Sequence, residues 1–491
     1  MFESAELGHR ISDREYDRAV PKLREALLKA QYDLLKDKTF PVVIIIGGVD
    51  GAGKGETVNI LNEWMDPRHI HTHAFGEMSD EERQRPRMWR YWRALPPRGR
   101  IGILFGGWHT DPIVNRVIGA TDDNQMELAM EEVVRFERML ADEGALILKF
   151  WFHLSKKAQK KRLKALEADP KTRWRVTDTD WQRFKLYDRF RKVSQNALRE
   201  TSTGYAPWTV VEGTDPNYRY VTVGRTVLDA LAKRLAGKRP AVSKSAALPA
   251  PALDGRTLLS ALDYERTLAH KAYRKQLEKY QGQLNLLSRH KKFRQKSVIA
   301  VFEGADAAGK GGAIRRVTGA LDARHYQVTP VAAPTEEERA QPYLWRFWRN
   351  LPRKGRVTIF DRSWYGRVLV ERVEKFCSED DWMRAYHEIN DFEEQLVEAG
   401  GVVVKFWLTV TKEEQLRRFR EREKTAFKAF KITPEDWRNR KKWDDYERAV
   451  CDMIERTSND LAPWVLIPAN DKYGARIAIL KTICERLESA L

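Results

Sequence analysis

The chain has 491 residues, 42% hydrophobic and 32% charged, the balance of an ordinary soluble protein with room for about two to four domains. Three widely spaced cysteines exclude a disulfide framework and a zinc site. The longest aliphatic run (42–46) is too short to cross a bilayer, and the polar N-terminus resembles no signal peptide. We therefore expect a cytoplasmic protein. The net charge of +18 favours a polyanionic partner (nucleic acid, an anionic membrane or a phosphate polymer) over a merely basic surface.

In chain order, the first diagnostic element is a glycine-rich loop, GVDGAGKGE at 48–56, which returns as GADAAGKGG at 304–312. Both loops read G-x-x-x-x-G-K, the pattern of a phosphate-binding loop, but glycine stands where Ser or Thr usually holds magnesium. The copies stay in register, because PRMWRYWRALP at 86–96 matches PYLWRFWRNLP at 342–352. One offset, 256 positions, holds over about 170 residues, which indicates a tandem duplication.

A stretch rich in Ala, Pro and Ser separates the two copies. It covers 236–256 and has no apolar period, so it is predicted to be a linker. The predicted domains are therefore 1–235 and 257–491.

Within each copy the pattern alternates strands and helices. The second copy has predicted strands SVIAVFEG (297–304), HYQVTPV (325–331), RVTIFD (356–361), GGVVVKFWL (400–408) and PWVLIPA (463–469). Buried apolar runs separated by helices predict an α/β fold, a parallel sheet flanked by helices on both faces. The highly charged residues 411–458 predict exposed helices, which form either a lid or a solvated helical hairpin.

The glycine loop follows a predicted strand and precedes a predicted helix. In this context the loop amides and the helix N-terminus point at an anion. Lys310 adds a point charge for phosphate oxygens. The predicted phosphate-binding glycines are Gly304, Gly309 and Gly311.

Two acids can replace the missing loop hydroxyl. Asp306 offers a hard oxygen ligand within the loop, and Asp361 ends an apolar strand, as a Walker-B aspartate does. Carboxylates at neighbouring strand ends predict a magnesium site between bridging phosphates. The alternatives are a turn former or an acceptor-orienting group at Asp306, and a helix N-cap or a partner for Arg362 at Asp361.

Arginine is more abundant around these motifs than one nucleoside triphosphate requires. Arg346 and Arg349 share one face of a predicted helix, and Arg418 lies in the charged stretch. This supply suits a long phosphate chain, although a solvated charged face is the alternative.

The copies differ at the residues that carry charge. Asp361 corresponds to Phe105 and Arg362 to Gly106, while the loop lysine is retained as Lys54. The second copy is therefore predicted to be the catalyst, and the first to be inactive or nearly so.

The motifs EGADAAGKGG, YLWRFW, LPRKGRVTIFDRSWYGRV and TSNDLAPWVLIPANDKYGAR resemble the polyphosphate kinase 2 family, and the tandem arrangement resembles its two-domain class. The resemblance covers nearly the whole chain. It implies tandem P-loop kinase domains like thymidylate kinase with a helical lid, and transfer of the terminal phosphate of inorganic polyphosphate to AMP, giving ADP, with Mg²⁺ or Mn²⁺. It implies catalytic roles for Asp306, Lys310, Asp361 and Arg362, metal binding by the two acids, and phosphate binding by Arg346, Arg349, Tyr365 and Arg418.

The expected partners are polyphosphate and AMP or ADP, without nucleic acid or membrane, in a chain that can form homo-oligomers. Three alternatives remain open at this point: a polyphosphate-dependent nucleoside diphosphate kinase, an ATP-dependent nucleotide kinase, and a nucleic-acid-binding P-loop protein. The last lacks a recognition motif and does not explain Asp361 beside Arg362.

Overall fold

A computed structural model describes residues 1–237, 257–425 and 432–491. These residues form two compact units. Of the described residues, the first unit takes 1–78, 90–237 and 335–345, and the second takes 79–89, 257–334 and 346–491. Most of the predicted linker, 238–256, lies outside the described residues, so the predicted domain boundaries stay a prediction.

Each unit contains a five-stranded parallel sheet. The first sheet has the order β2-β3-β1-β4-β5, with strands β1 (Val42–Gly48), β2 (Ile70–Ala74), β3 (Ile101–Phe105), β4 (Leu146–His153) and β5 (Trp208–Glu212). The second has the order β10-β9-β6-β8-β7, with strands β6 (Ser297–Gly304), β7 (Tyr326–Pro330), β8 (Val357–Asp361), β9 (Gly401–Thr409) and β10 (Trp464–Pro468). The five strands predicted for the second copy are thus all present, with ends shifted by no more than one residue.

Helices fill the connections between the strands. In residues 1–237 they are α1 (Asp13–Asp37), α2 (Lys54–Trp64), α3 (Asp80–Arg83), α4 (Trp89–Ala94), α5 (Thr110–Ile118), α6 (Asp123–Asp142), α7 (Lys156–Ala168), α8 (Asp178–Lys185), α9 (Tyr187–Thr201) and α10 (Pro216–Leu235). In the described part of 257–491 they are α11 (His270–Arg289), α12 (Lys310–Thr318), α13 (Glu336–Arg339), α14 (Trp345–Trp348), α15 (Val370–Val373), α16 (Glu379–Glu398), α17 (Lys412–Lys424), α18 (Pro434–Lys441), α19 (Trp443–Thr457) and α20 (Lys472–Ala490).

The central strands β1, β6 and β9 are largely apolar because helices cover both faces of each sheet. Every residue of β9 is buried, and β6 is buried along all but its two ends. This arrangement confirms the predicted α/β fold with parallel sheets. Among the described residues, none of the helices combines the length and apolar character that crossing a bilayer requires.

A buried ion pair ties β9 to α16 in the second unit. Nζ of Lys405 donates to Oε2 of Glu393 at 2.7 Å and to the carbonyl oxygen of Thr457 at 2.7 Å. Oε1 of Glu393 accepts from Nε1 of Trp364 and from the hydroxyl of Tyr365. Burial lowers the pKa of Lys405, and the nearby carboxylate opposes that shift.

Glu393→Gln should destabilise the second unit by about 3–5 kcal/mol, because it leaves the Lys405 ammonium buried without a counter-charge. The measurement is urea unfolding followed by tryptophan fluorescence. Glu485→Gln is the matched control, since its ion pair with Lys481 is more than half exposed and contributes about 0–1 kcal/mol. Equal stability of the two variants would contradict the role of the buried pair.

Candidate active site at the phosphate loop of the second unit

The phosphate loop of the second unit joins β6 to α12, and glycine shapes its backbone. Gly304 has a φ of +150°, and a Cβ atom there would lie 2.3 Å from the carbonyl oxygen of Leu408 on β9. Only glycine fits this close approach. Gly309, with a φ of +106°, precedes Lys310, the first residue of α12. Gly311 has open space above it, so phosphate can approach the backbone closely there.

The loop closes around the side chain of its lysine. Nζ of Lys310 donates to the carbonyl oxygen of Gly304 at 2.6 Å. The backbone amides that start α12 face the same loop, which is the usual arrangement for binding phosphate at a helix N-terminus.

The two acids predicted to bind metal lie at the same edge of the sheet. Asp361 is the last residue of β8 and pairs in register with Phe302 of β6, the strand that enters the loop. Oδ1 of Asp306 lies 3.6 Å from Nη2 of Arg362, and Oδ2 accepts from Nδ2 of Asn439 on α18 at 2.9 Å. The carboxyl edge therefore gathers the acids, the lysine and the arginine that the sequence singled out.

Arg362 has a backbone conformation that favours glycine. Its φ is +64°, in the left-handed region that costs a non-glycine residue about 1–3 kcal/mol. The corresponding residue of the first unit is Gly106, with a φ of +72°. The second unit thus has an arginine where the first has a glycine, and its guanidinium lies beside the loop acid Asp306.

Two carboxylates are a partial ligand set for a divalent cation. Within residues 1–237, 257–425 and 432–491, no cluster of three or more His, Cys, Asp or Glu side chains is arranged to hold a metal. A cation at Asp306 and Asp361 would therefore take its other ligands from phosphate and water. Hard oxygen donors completed by substrate phosphates suit Mg²⁺ or Mn²⁺, so the residues fit such an ion.

Arg418 reaches the loop, but its guanidinium is bonded to protein. Its Nη1 donates to the carbonyl oxygens of Ala307 and Ala308, and its Nη2 to those of Ala469 and Asn470, at 2.7–3.3 Å. Nε pairs with a glutamate of its own helix, α17, and burial lowers the pKa of this arginine. Arg418 therefore positions the loop, whereas the sequence predicted a phosphate ligand.

The other side chains predicted to bind phosphate, Tyr365, Arg346 and Arg349, do not line the cavities beside the phosphate loop. Tyr365, which the sequence predicted to bind phosphate, is fully buried and donates to Glu393, so its hydroxyl is directed into the core. Arg346 donates to the carbonyl oxygen of Ala332, and Arg349 is exposed. Neither arginine lines the two cavities that adjoin the loop.

Sequence analysis missed one acid of the site, Glu303. It is buried at the end of β6 and accepts from the hydroxyl of Ser363 at 2.8 Å. Burial raises its pKa, against the opposing effects of Ser363 and the cationic Lys310. The first copy has Gly47 and Gly107 at these two positions. The joint absence of both partners from the first copy is the signal that could have identified the pair.

Two cavities share the phosphate loop as a wall. The first, the aromatic cavity, has a volume of about 300 Å³ and is lined by Gly304, Asp306, Arg362, Tyr264, Trp407, Trp443 and Tyr446, among others. The second, the cationic cavity, has a volume of about 260 Å³ and is lined by Ala307, Gly309, Arg315, Arg418, Arg422, Lys472 and Arg476, among others. Burial and the neighbouring Arg418 lower the pKa of Lys472, as expected where cations crowd together.

The phosphate loop of the first unit is filled by its own side chains. Glu56 replaces Gly312 at the start of α2, and its carboxylate contacts three arginines at 2.8–3.4 Å: Arg162, Arg175 and Arg219. A carboxylate held in this way competes with phosphate for the same cations and helix N-terminus.

The loop acid of the first unit, Asp50, is likewise paired with cations of its own unit. Asp50 lies 3.5 Å from Nζ of Lys54 and 3.7 Å from Nη1 of Arg183, which stands at the position of Asn439. Burial lowers the pKa of Lys54. With Phe105 in place of the strand-end acid, this unit retains the shape of a phosphate loop without its charge arrangement.

The two parallel sheets, each with a glycine loop between its central strand and the following helix, define the class of protein: a tandem α/β protein with two P-loop units. The family model "Polyphosphate kinase 2 (PPK2)" matches residues 10–239 and 267–491. The chain belongs to the polyphosphate kinase 2 family.

Two relatives and one solved structure match nearly the full length of the chain. The chain is 57% identical to a polyphosphate:AMP phosphotransferase of Pseudomonas aeruginosa, covering 100% of this chain and 99% of the relative. It is 38% identical to a polyphosphate:AMP phosphotransferase of Acinetobacter johnsonii, covering 94% and 95%. A crystal structure of a polyphosphate kinase 2 from Pseudomonas aeruginosa PA01 superposes with a TM-score of 0.91 at 55% identity, covering 100% of this chain and 99% of that one.

Proposed function

We propose that this protein transfers the terminal phosphate of inorganic polyphosphate to AMP, giving ADP, and that the second unit is the catalyst. The observation that carries the proposal is the pair of cavities, one cationic and one aromatic, that share a single phosphate loop. Similarity over the full length to proteins described as polyphosphate:AMP phosphotransferases supports this donor and this acceptor.

The cationic cavity suits the polymer donor. Four of its cations, Arg315, Arg422, Lys472 and Arg476, correspond in the first copy to Asn59, Leu166, Pro216 and Tyr220. A polyphosphate chain carries a negative charge on every unit, so several cations beside the loop stabilise it better than they would a neutral or singly charged ligand.

The aromatic cavity suits the acceptor nucleotide. Its volume of about 300 Å³ is within the range of small-molecule sites, and Trp443 and Tyr446 supply aromatic surface for a base. The same cavity is lined by Asp306 and Arg362, so a nucleotide bound there has its phosphate beside the reactive groups.

The reaction is an in-line phosphoryl transfer. An oxygen of the AMP phosphate attacks the terminal phosphorus of the polymer, a P–O bond forms as the bridging P–O bond breaks, and the polymer leaves one phosphate shorter. Lys310 and Arg362 stabilise the negative charge of the transferred group, and the loop amides orient it. Because the transition state is loose, positioning and electrostatics supply most of the rate.

Asp306 and Asp361 would hold a divalent cation, which would supply further neutralisation of phosphate charge. Helices α17 to α19 act as the lid, since Asn439 on α18 contacts Asp306. A closed lid excludes water and so limits hydrolysis of the polymer. Assembly into homo-oligomers and a cytoplasmic location stay predictions.

A donor–acceptor matrix tests the proposal. Polyphosphate and ATP are each combined with AMP, ADP, GMP and GDP, and the nucleotide products are separated and quantified. We expect the highest kcat/KM with polyphosphate and AMP. Faster transfer from ATP would favour a nucleotide kinase, and faster transfer to ADP a polyphosphate-dependent nucleoside diphosphate kinase.

A further inference from the structure

The aromatic cavity has one wall that comes from outside the P-loop kinase core. This wall is the strap, defined as residues 257–268, which precedes α11 and makes no part of the sheet. We propose that the strap contacts the nucleoside of the acceptor and sets which nucleoside monophosphate is used. The inference rests on the proposed function, because it assumes that the acceptor occupies this cavity.

Three strap residues line the cavity: Leu259, Ser260 and Tyr264. Leu259 is 8% exposed although its neighbours on both sides are largely exposed, so its side chain is directed inward. The rest of the lining includes Asp306 and Arg362 at the reacting phosphate. A nucleotide whose phosphate lies beside these two groups therefore has its nucleoside left to contact the remaining walls, part of which the strap and α19 supply.

The strap is fixed at three points, two of which are in the walls of the cavity that it covers. Oγ1 of Thr257 donates to Oε1 of Glu447 on α19 at 2.7 Å. The hydroxyl of Tyr264 lies 3.2 Å from Oγ1 of Thr409 at the end of β9. The backbone N–H of Leu268 donates to Asp471 at 2.9 Å. A wall held at three points presents a defined shape, which is what discrimination between similar ligands requires.

The first unit has a segment that makes corresponding contacts, and there an aromatic ring covers the strand end. Its N-terminal segment contacts His153 and Arg191, the positions that correspond to Thr409 and Glu447. There the ring of Phe2, 1% exposed, stacks on His153 with ring centroids 4.5 Å apart. The segment that in the second unit lines an open cavity thus covers the equivalent strand end with an aromatic ring in the first.

The strap also explains how acceptor choice can change without altering the chemistry. Leu259 and Tyr264 belong to a segment that supplies none of the loop, lysine or strand-end acids. Substitutions in the strap should therefore alter the shape presented to the nucleoside and leave the polymer side of the site unchanged.

Two strap variants test the inference, one by adding bulk to the cavity wall and one by removing part of it. Leu259→Trp adds bulk to the wall, and we expect it to raise the KM for AMP about 10-fold or more. Tyr264→Ala removes part of the wall, and we expect the ratio of kcat/KM for AMP over CMP to fall about 10-fold. In both variants the KM for polyphosphate should stay within about 2-fold of the starting value. Glu265→Ala, at an exposed strap position, is the matched control.

The starting protein is assayed beside the variants with polyphosphate and AMP, and thermal unfolding midpoints are recorded for all four. If the starting protein forms no ADP, the proposed function fails. If it forms ADP but both variants keep its KM and its acceptor preference, only the strap inference fails. Parallel losses for AMP, CMP and polyphosphate with lowered midpoints would show a merely structural strap and would also overturn the inference.

Discussion

Replacing Asp361 with Asn is expected to lower the rate of ADP formation from AMP and polyphosphate by about 10³-fold. Asp361 ends β8 directly beside Arg362 and at the same sheet edge as Asp306. The substitution preserves size and hydrogen-bonding capacity but removes the negative charge that would hold a divalent cation between the phosphates. Steady-state formation of ADP, with the thermal midpoint as a measure of folding, is the measurement.

The same kind of substitution in the first unit should have little effect. Asp50→Asn and Lys54→Ala are the matched controls. In the first unit Arg183 already pairs with the loop acid Asp50, and Phe105 replaces the strand-end acid. We expect kcat and both KM values within about 2-fold of the starting protein. A folded Lys54→Ala protein without activity would contradict the division of labour between the units.

Gly312→Glu is expected to lower kcat/KM for polyphosphate by about 10²-fold, because a new carboxylate repels the polyanion. This substitution gives the second unit the residue that fills the loop of the first, Glu56. A Cβ atom at 312 would lie 3.2 Å from Nη2 of Arg476, so the new side chain starts beside a cation of the cationic cavity. The measurement is the initial rate at varied polyphosphate and saturating AMP.

The reverse change, Glu56→Gly, serves as the control for Gly312→Glu. It removes the carboxylate that contacts Arg219 but leaves the second unit unchanged. We expect its turnover within about 2-fold of the starting protein. If Gly312→Glu retained full kcat/KM for polyphosphate, the cationic cavity would not be the donor site.

Local sequence patterns predicted most of the fold. The strands of the second copy could be located to within one residue. For the central strands the reason is that a strand buried on both faces is a continuous apolar run bounded by turn residues. The charged stretch after β9 was expected to be helical, and α17, α18 and α19 confirm this in its described part. The sequence left open whether these helices form a lid or a hairpin in solvent, and the hydrogen bond from Asn439 to Asp306 favours the lid.

The side chains at the site were less predictable. Arg418 has the charge of a phosphate ligand, yet its N–H groups donate to carbonyl oxygens of residues that are 51 and 111 positions away in sequence. Tyr365 lies close in sequence to Asp361, but its side chain points into the core, toward Glu393. Residue type and spacing along the chain do not reveal which partner a side chain reaches, because those partners come from distant segments.

By itself, the sequence determined the duplication, the two phosphate loops, the strand-end acid and its absence from the first copy. These features are local, since a loop or a strand end is defined by consecutive residues whose backbone requirements are written in glycine and apolar patterns. Only the tertiary structure decided that Glu303 joins the site, that Glu56 fills the first loop, and that the strap lines the aromatic cavity. Each depends on burial and on contacts between segments far apart in the chain, which are set by how the whole unit packs.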